Sequence, residues 1–225
     1  MQQTGLFGKL PAHGDFISRR LPQGFISVWD GWLQCSVAGS QELLPDGWLD
    51  YFLTSPIWRF AIRAGAIDDS AWAGVLLPSV DSVGRYFPLT LVRPFPKNQD
   101  VLSLVADQME WYEAMEVVAV AALQEQLDAD QVLQRIDEAE RVFSSVGTDA
   151  KDVARADYLA NGSLFLSGNN LASQFMALAK TLTDFDGSMS IWTSAATEVA
   201  AGQTLIRKGL PDPREYMGMI TGNLV

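Results

Sequence analysis

The chain has 225 residues, 48% of them hydrophobic and seven of them tryptophan, which suits one domain or two compact lobes with enough apolar material for a core. Its net charge of −11 sits mostly in residues 97–160, with fourteen acids against five bases, a balance that repels phosphate backbones and excludes nucleic acid as a partner. One cysteine and one histidine exclude an intrachain disulfide and a structural zinc site.

In chain order, residues 5–10 and 15–18 read as two short strands around a Pro11-Ala-His-Gly14 turn. Pro22 opens a helix in which Phe25, Val28, Trp29 and Trp32 recur at helical spacing, with Gly39 as its stop. On this helix Cys35 reads as a small core-facing thiol. Residues 46–52 form a further helical turn capped by Asp46. Three strands follow, over 57–63, 72–77 and 86–93. In the first, Trp58, Phe60 and Ile62 alternate with Arg59, Ala61 and Arg63, so one face is apolar and the other partly basic. The second is apolar on both faces, as a covered central strand is. Pro88 in the third removes a ladder donor and places that end at an edge or bulge.

Residues 100–127 predict one long helix. Val101, Val105, Tyr112, Met115, Ala119 and Leu123 line one face, and Val117, Val118 and Val120 make its later half apolar all round and so deeply buried. Asp130 caps a shorter helix through Phe143. Beyond the linker at 144–147, strands are expected at 163–166, 189–193 and 204–207, and helices at 171–182 and 212–220. No internal repeat is present. Residues 1–143 thus form a sheet-plus-helices core, and 144–225 supply strands and helices that complete the same single domain. The fold class is α/β of the α+β type, a mainly antiparallel central sheet packed by helices. The element order through residue 143 is that of longin-like and related sensor-type folds. The most apolar stretch, 111–123, holds Glu113 and Glu116 and is too short to span a bilayer, and no charged-then-apolar leader opens the chain. The expectation is a cytoplasmic protein without membrane insertion.

Few residues can carry chemistry. His13 is the lone imidazole, and a serine hydrolase would need it with Ser79 or Ser82 and with Asp81 or Asp15. No G-x-S-x-G elbow accompanies them, and the competing reading of His13 is a turn residue whose ring bonds a carbonyl or water. Neither a D-x-D-x-D-G cation loop nor the full spacing of a phosphate loop appears around Gly5 to Lys9, so no metal, nucleotide or other cofactor is expected. The polar loop at 79–85 is the most informative segment. Asp81 can accept backbone N–H bonds in an Asx turn, Gly84 can take a positive φ, and Arg85 can fork onto a carboxylate. These residues hold a strand connection in one shape or recognise a partner. The partner-binding candidates are Ser79, Asp81, Ser82 and Arg85 of this loop with Trp58 and Arg59, since Trp and Arg are enriched at interface hot spots although a strand Trp is more often core. Gly14, Asp15 and Gly84 are structural turn candidates. The acidic 97–160 segment is a solvated helical face or a docking face for a basic partner.

Three ordered motifs, G-K-L-P-x-x-G-D-F at residues 8–16, S-P-I-W-R-F at 55–60 and P-S-V-D-x-V-G-R-Y-F-P-L at 78–89, resemble those of the TagF (ImpM) family of type VI secretion. The likeness is dense over 5–94 and thinner beyond. The resemblance implies a bacterial cytoplasmic accessory protein that is not an enzyme and that holds the secretion machine inactive after translation. It further implies a scaffold partner with a forkhead-associated domain and an indirect link to a Ser/Thr kinase–phosphatase pathway. It brings no catalytic residues.

Overall fold

The computed structural model describes residues 3–143, 155–158, 164–167, 188–195 and 202–222. Strands β1 (Gly5–Gly8), β2 (Ile17–Arg19), β3 (Trp58–Ile62), β4 (Ala71–Leu77), β5 (Leu89–Phe95), β8 (Met189–Ser194) and β9 (Thr204–Lys208) form one antiparallel sheet in the order β2-β1-β5-β4-β3-β8-β9. The registers Leu6 with Leu91, Gly74 with Val92 and Phe60 with Trp192 fix which side chains share a face. β6 (Arg155–Tyr158) and β7 (Leu164–Ser167) pair as a separate two-stranded sheet. The helices are α1 (Gln23–Leu43), α2 (Trp48–Thr54), α3 (Val101–Asp107), α4 (Met109–Gln124), α5 (Ala129–Phe143) and α6 (Pro213–Thr221).

Strand alternation sends two different sets of side chains to the two faces. Phe7, Trp58, Phe60, Ile62, Trp72, Leu76 and Trp192 meet α1, α2 and α6 in an aromatic core. Leu6, Ala61, Ala73, Val75, Leu91 and Ile191 meet α3, α4 and α5 in a second core, to which these strands bring mostly aliphatic side chains and α4 brings Trp111 and Tyr112. On the aromatic side Phe25 lies 4.2 Å from Trp72 and Trp29 4.9 Å from Phe60, centroid to centroid, separations at which such rings add about 0.5–1.5 kcal/mol beyond burial. Every tryptophan indole N–H has an acceptor: those of Trp29 and Trp72, for example, donate to Thr90 Oγ1 at 3.0 Å and Asp68 Oδ1 at 2.8 Å. β4 is buried along its whole length between β5 and β3, as its apolar sequence predicts.

Several local expectations are corrected. α1 continues past Gly39 to Leu43; a Cβ on Gly39 would stand 2.5 Å from Pro213 Cβ, so this glycine serves the close crossing of α1 and α6 rather than ending a helix. Cys35 is exposed, because the buried stripe of α1 passes through Leu33, Ser36 and Val37 instead. α2 begins after Gly47 with no side-chain cap from Asp46. β5 starts after Pro88 and is an interior strand, so the proline marks its start and not an edge. The single long helix is two, α3 and α4, separated at Gln108: α3 packs on β3 and β8, whereas α4 packs on β4, β5 and α5. The later half of α4 is buried on one side only, with Val118 and Ala119 inside and Val117 69% exposed. Asp128, not Asp130, caps α5, accepting from Asp130 N and Gln131 N at 2.9 Å while Gln131 Oε1 accepts from Asp128 N. The helix expected at 171–182 lies outside the described residues. Among the described residues no helix is long and apolar enough to cross a membrane, and no group of three His, Cys, Asp or Glu side chains could hold a metal ion.

Candidate functional site

β1 lies beside β5, and β5 beside β4. This strand order brings the turn between β1 and β2 against the connection between β4 and β5, so two motifs far apart in sequence build one tip. Val80 and Tyr86 form an isolated bridge at the neck of the connection. Within it Asp81 N donates to Arg85 O and Gly84 N to Asp81 O, both at 3.1 Å. Gly84 has φ 83°, the left-handed conformation that glycine adopts without strain.

Asp81 is the centre of the tip and is buried. Its Oδ1 accepts from Val83 N at 3.0 Å and from Arg85 N at 2.9 Å; its Oδ2 accepts from Arg85 Nε at 2.7 Å and from Lys9 Nζ. Burial by itself pushes this carboxyl up, but the hydrogen bonds from Lys9, Arg85 and Val83 outweigh it and hold the group far below the usual carboxylate range. Lys9 is buried too, with its Nζ 4.8 Å from the centre of the Phe16 ring. Two further links tie the loop to the turn: Ser79 Oγ donates to Lys9 O at 2.7 Å, and Ser82 N to His13 O at 2.9 Å. Arg85 also donates from Nη2 to Gly14 O. Its 3.9 Å approach to Asp15 joins two exposed groups and is screened by solvent.

The sequence candidates divide sharply. Ser79 and Asp81 are inside and hold the tip together; Ser82 and Arg85 are on its surface. Gly14 contributes its carbonyl and Asp15 an exposed carboxylate, while Gly84 makes the turn. Trp58 is buried in the aromatic core, its Nε1 donating to Met219 O at 3.3 Å, so it presents no surface to a partner. Arg59 lies on the opposite face of the sheet, bidentate to Glu116 of α4 at 2.6 and 2.8 Å. The hydrogen bond to Glu116 outweighs desolvation and, with the charge of Glu116, raises the guanidinium pKa.

His13 Nε2 accepts from Ala129 N, at the start of α5, at 3.0 Å, which ties the turn to that helix and leaves the ring proton on Nδ1. Ser79 Oγ, Asp81 and His13 Nε2 are thus each engaged with different partners. The residues that sequence reading missed are Lys9, Phe16 and Val83. Lys9 has a weak signal, a cation inside the apolar run Gly5-Leu-Phe-Gly-Lys-Leu10; Phe16 and Val83 lie within the motifs but are 50% and 68% exposed, which no local pattern foretells. Chemically, the tip is a preorganised surface with two apolar side chains and one half-exposed guanidinium.

A model of the TagF N-terminal domain, type VI secretion system-associated, matches residues 5–139, a span that includes the whole tip and α4. Among solved structures, PA0076 from Pseudomonas aeruginosa PAO1 is similar, with 32% sequence identity and a TM-score of 0.75 over 98% of this chain and 95% of that chain. None of the curated proteins matches the chain.

Proposed function

This chain belongs to the TagF family of type VI secretion-associated proteins, and we propose on that premise that it represses the secretion machine after translation, from the cytoplasm, by binding a scaffold protein with a forkhead-associated domain. It acts as a binding protein and not as a catalyst. The observation that supports the reading is the tip: three charged side chains, Lys9, Asp81 and Arg85, are bonded together beside the exposed Phe16, Val83 and outer edge of Arg85. Rigid apolar and guanidinium groups lose little entropy on association and make effective anchors.

Deleting the gene is expected to raise secretion with transcript levels unchanged, and excess protein to silence it. In purified components, Val83→Asp with Phe16→Ala, in a variant that melts like the parent, should abolish binding to the scaffold. His13→Ala should leave that binding intact. Unchanged secretion on deletion, together with no scaffold binding at micromolar protein, would overturn the reading and favour a hydrolase using Ser79 or Ser82 with His13 and Asp81.

A further inference from the structure

α4 has a second face that the fold leaves open. Its inner side, Trp111, Tyr112, Met115, Val118, Ala119 and Ala122, is buried. Along the outer side Met109, Glu113 and Val117 follow one another at four-residue spacing, on one stripe of the helix. Met109 is 44% and Val117 69% exposed, and Glu110 and Glu113 are exposed beside them. A single exposed valine has no meaning of its own. Here two apolar side chains about 12 Å apart along the axis flank three carboxylates that share a single countercharge. Arg59 pairs with Glu116 and reaches Met109 Sδ at 3.6 Å, and its charge also acts on Glu113. Glu110 and Glu113 themselves form no ion pair among the described residues, so the face stays net acidic. α4 itself carries no Lys or Arg.

We infer that the outer face of α4 docks a basic amphipathic helix of another protein. The occupant sets apolar residues about two turns apart against Met109 and Val117 and Lys or Arg against Glu110 and Glu113. The charge of the face selects this occupant: a second copy of a chain of net charge −11 is repelled, as are anionic lipid and nucleic acid. A helix lying along a helix face with apolar anchors and a charged rim is an ordinary recognition mode. The inference does not depend on the regulatory reading, because it concerns a different surface and is measured without secretion.

The test uses the full chain and a synthetic leucine–lysine amphipathic peptide of about 18 residues, long enough to be helical when bound. Controls are a scrambled peptide of equal charge without an apolar face and a glutamate analogue. At about 0.15 M salt, where long-range attraction is screened, fluorescence anisotropy should show micromolar binding of the amphipathic peptide. The scrambled peptide should bind about tenfold more weakly, a difference of ~1.4 kcal/mol, and the glutamate analogue not at all. Val117→Asp and Glu113→Lys should each weaken binding about tenfold, Arg85→Ala should leave it unchanged, and amide-exchange protection should map to residues 109–124. Equal binding of the scrambled peptide, protection elsewhere, or no binding at millimolar peptide would each overturn the inference.

Discussion

The tip and the outer face of α4 use charge in opposite ways. At the tip, Lys9 and Asp81 are buried and Arg85 is half covered, and their polar groups are satisfied by one another and by the backbone. On the outer face of α4, Glu110 and Glu113 lie in solvent and form no ion pair among the described residues, beside exposed Met109 and Val117. Buried charges are costly unless paired, and once paired they fix geometry; solvated charges cost little and remain available. The tip is therefore a place where stability and shape are coupled, and α4 a place where a side chain can change without consequence for the fold.

That contrast is most severely tested by Lys9→Met, which removes one partner of a buried pair. Such a break costs about 3–5 kcal/mol, and the lower end applies because Arg85 and two backbone N–H groups still hold Asp81. In a chain of this size ~3 kcal/mol lowers Tm by about 6–12 °C, to be read by thermal melting; an unchanged Tm would show that the cluster is dispensable. Gly84→Val should cost about 1–3 kcal/mol, all of it conformational, because no atom lies within 4 Å of a Cβ built there. Gly84→Asn, which tolerates the same φ, should cost clearly less.

Acid acts on the tip through Asp81. The folded-state pKa of Asp81 is depressed, so its stabilisation is fully present above the pH at which a free aspartate titrates, near 3.8, and is lost as pH falls below that value toward the folded one. Denaturant melts of the parent should lose stability more steeply below about pH 4 than those of Asp81→Asn, and the gap between the two proteins should narrow with acidification. The smallest effect belongs to α4: Val117→Lys or Glu113→Gln should move stability by no more than about 0.5 kcal/mol, and a larger loss would mean that this face is covered.

Much of the frame was legible locally. The alternation of Trp58, Phe60 and Ile62 predicted a two-faced strand, and the doubly apolar β4 predicted a central one; both follow from the two-residue period of extended backbone. The Asx turn at Asp81 and the positive φ of Gly84 were readable from residue type. The break at Gln108 was not, because glutamine is a good helix former and the interruption reflects two different supports under α3 and α4. Nor was the exposure of Val117, since a helix apolar on all sides predicts full burial and only the packing partners decide which side stays open.

Residue spacing carried most elements through residue 143, and the three ordered motifs carried the family: short-range spacing sets which flank of a helix or strand is apolar, whereas breaks such as the one at Gln108 leave no local signal. Which residues meet at the tip was decided by tertiary structure alone. Lys9 and Asp81 are 72 positions apart, and no local period relates them; they touch because β1 takes its place beside β5 and β5 beside β4. That strand order is a property of the whole core, in which two layers of helices must each find an apolar face of the same sheet.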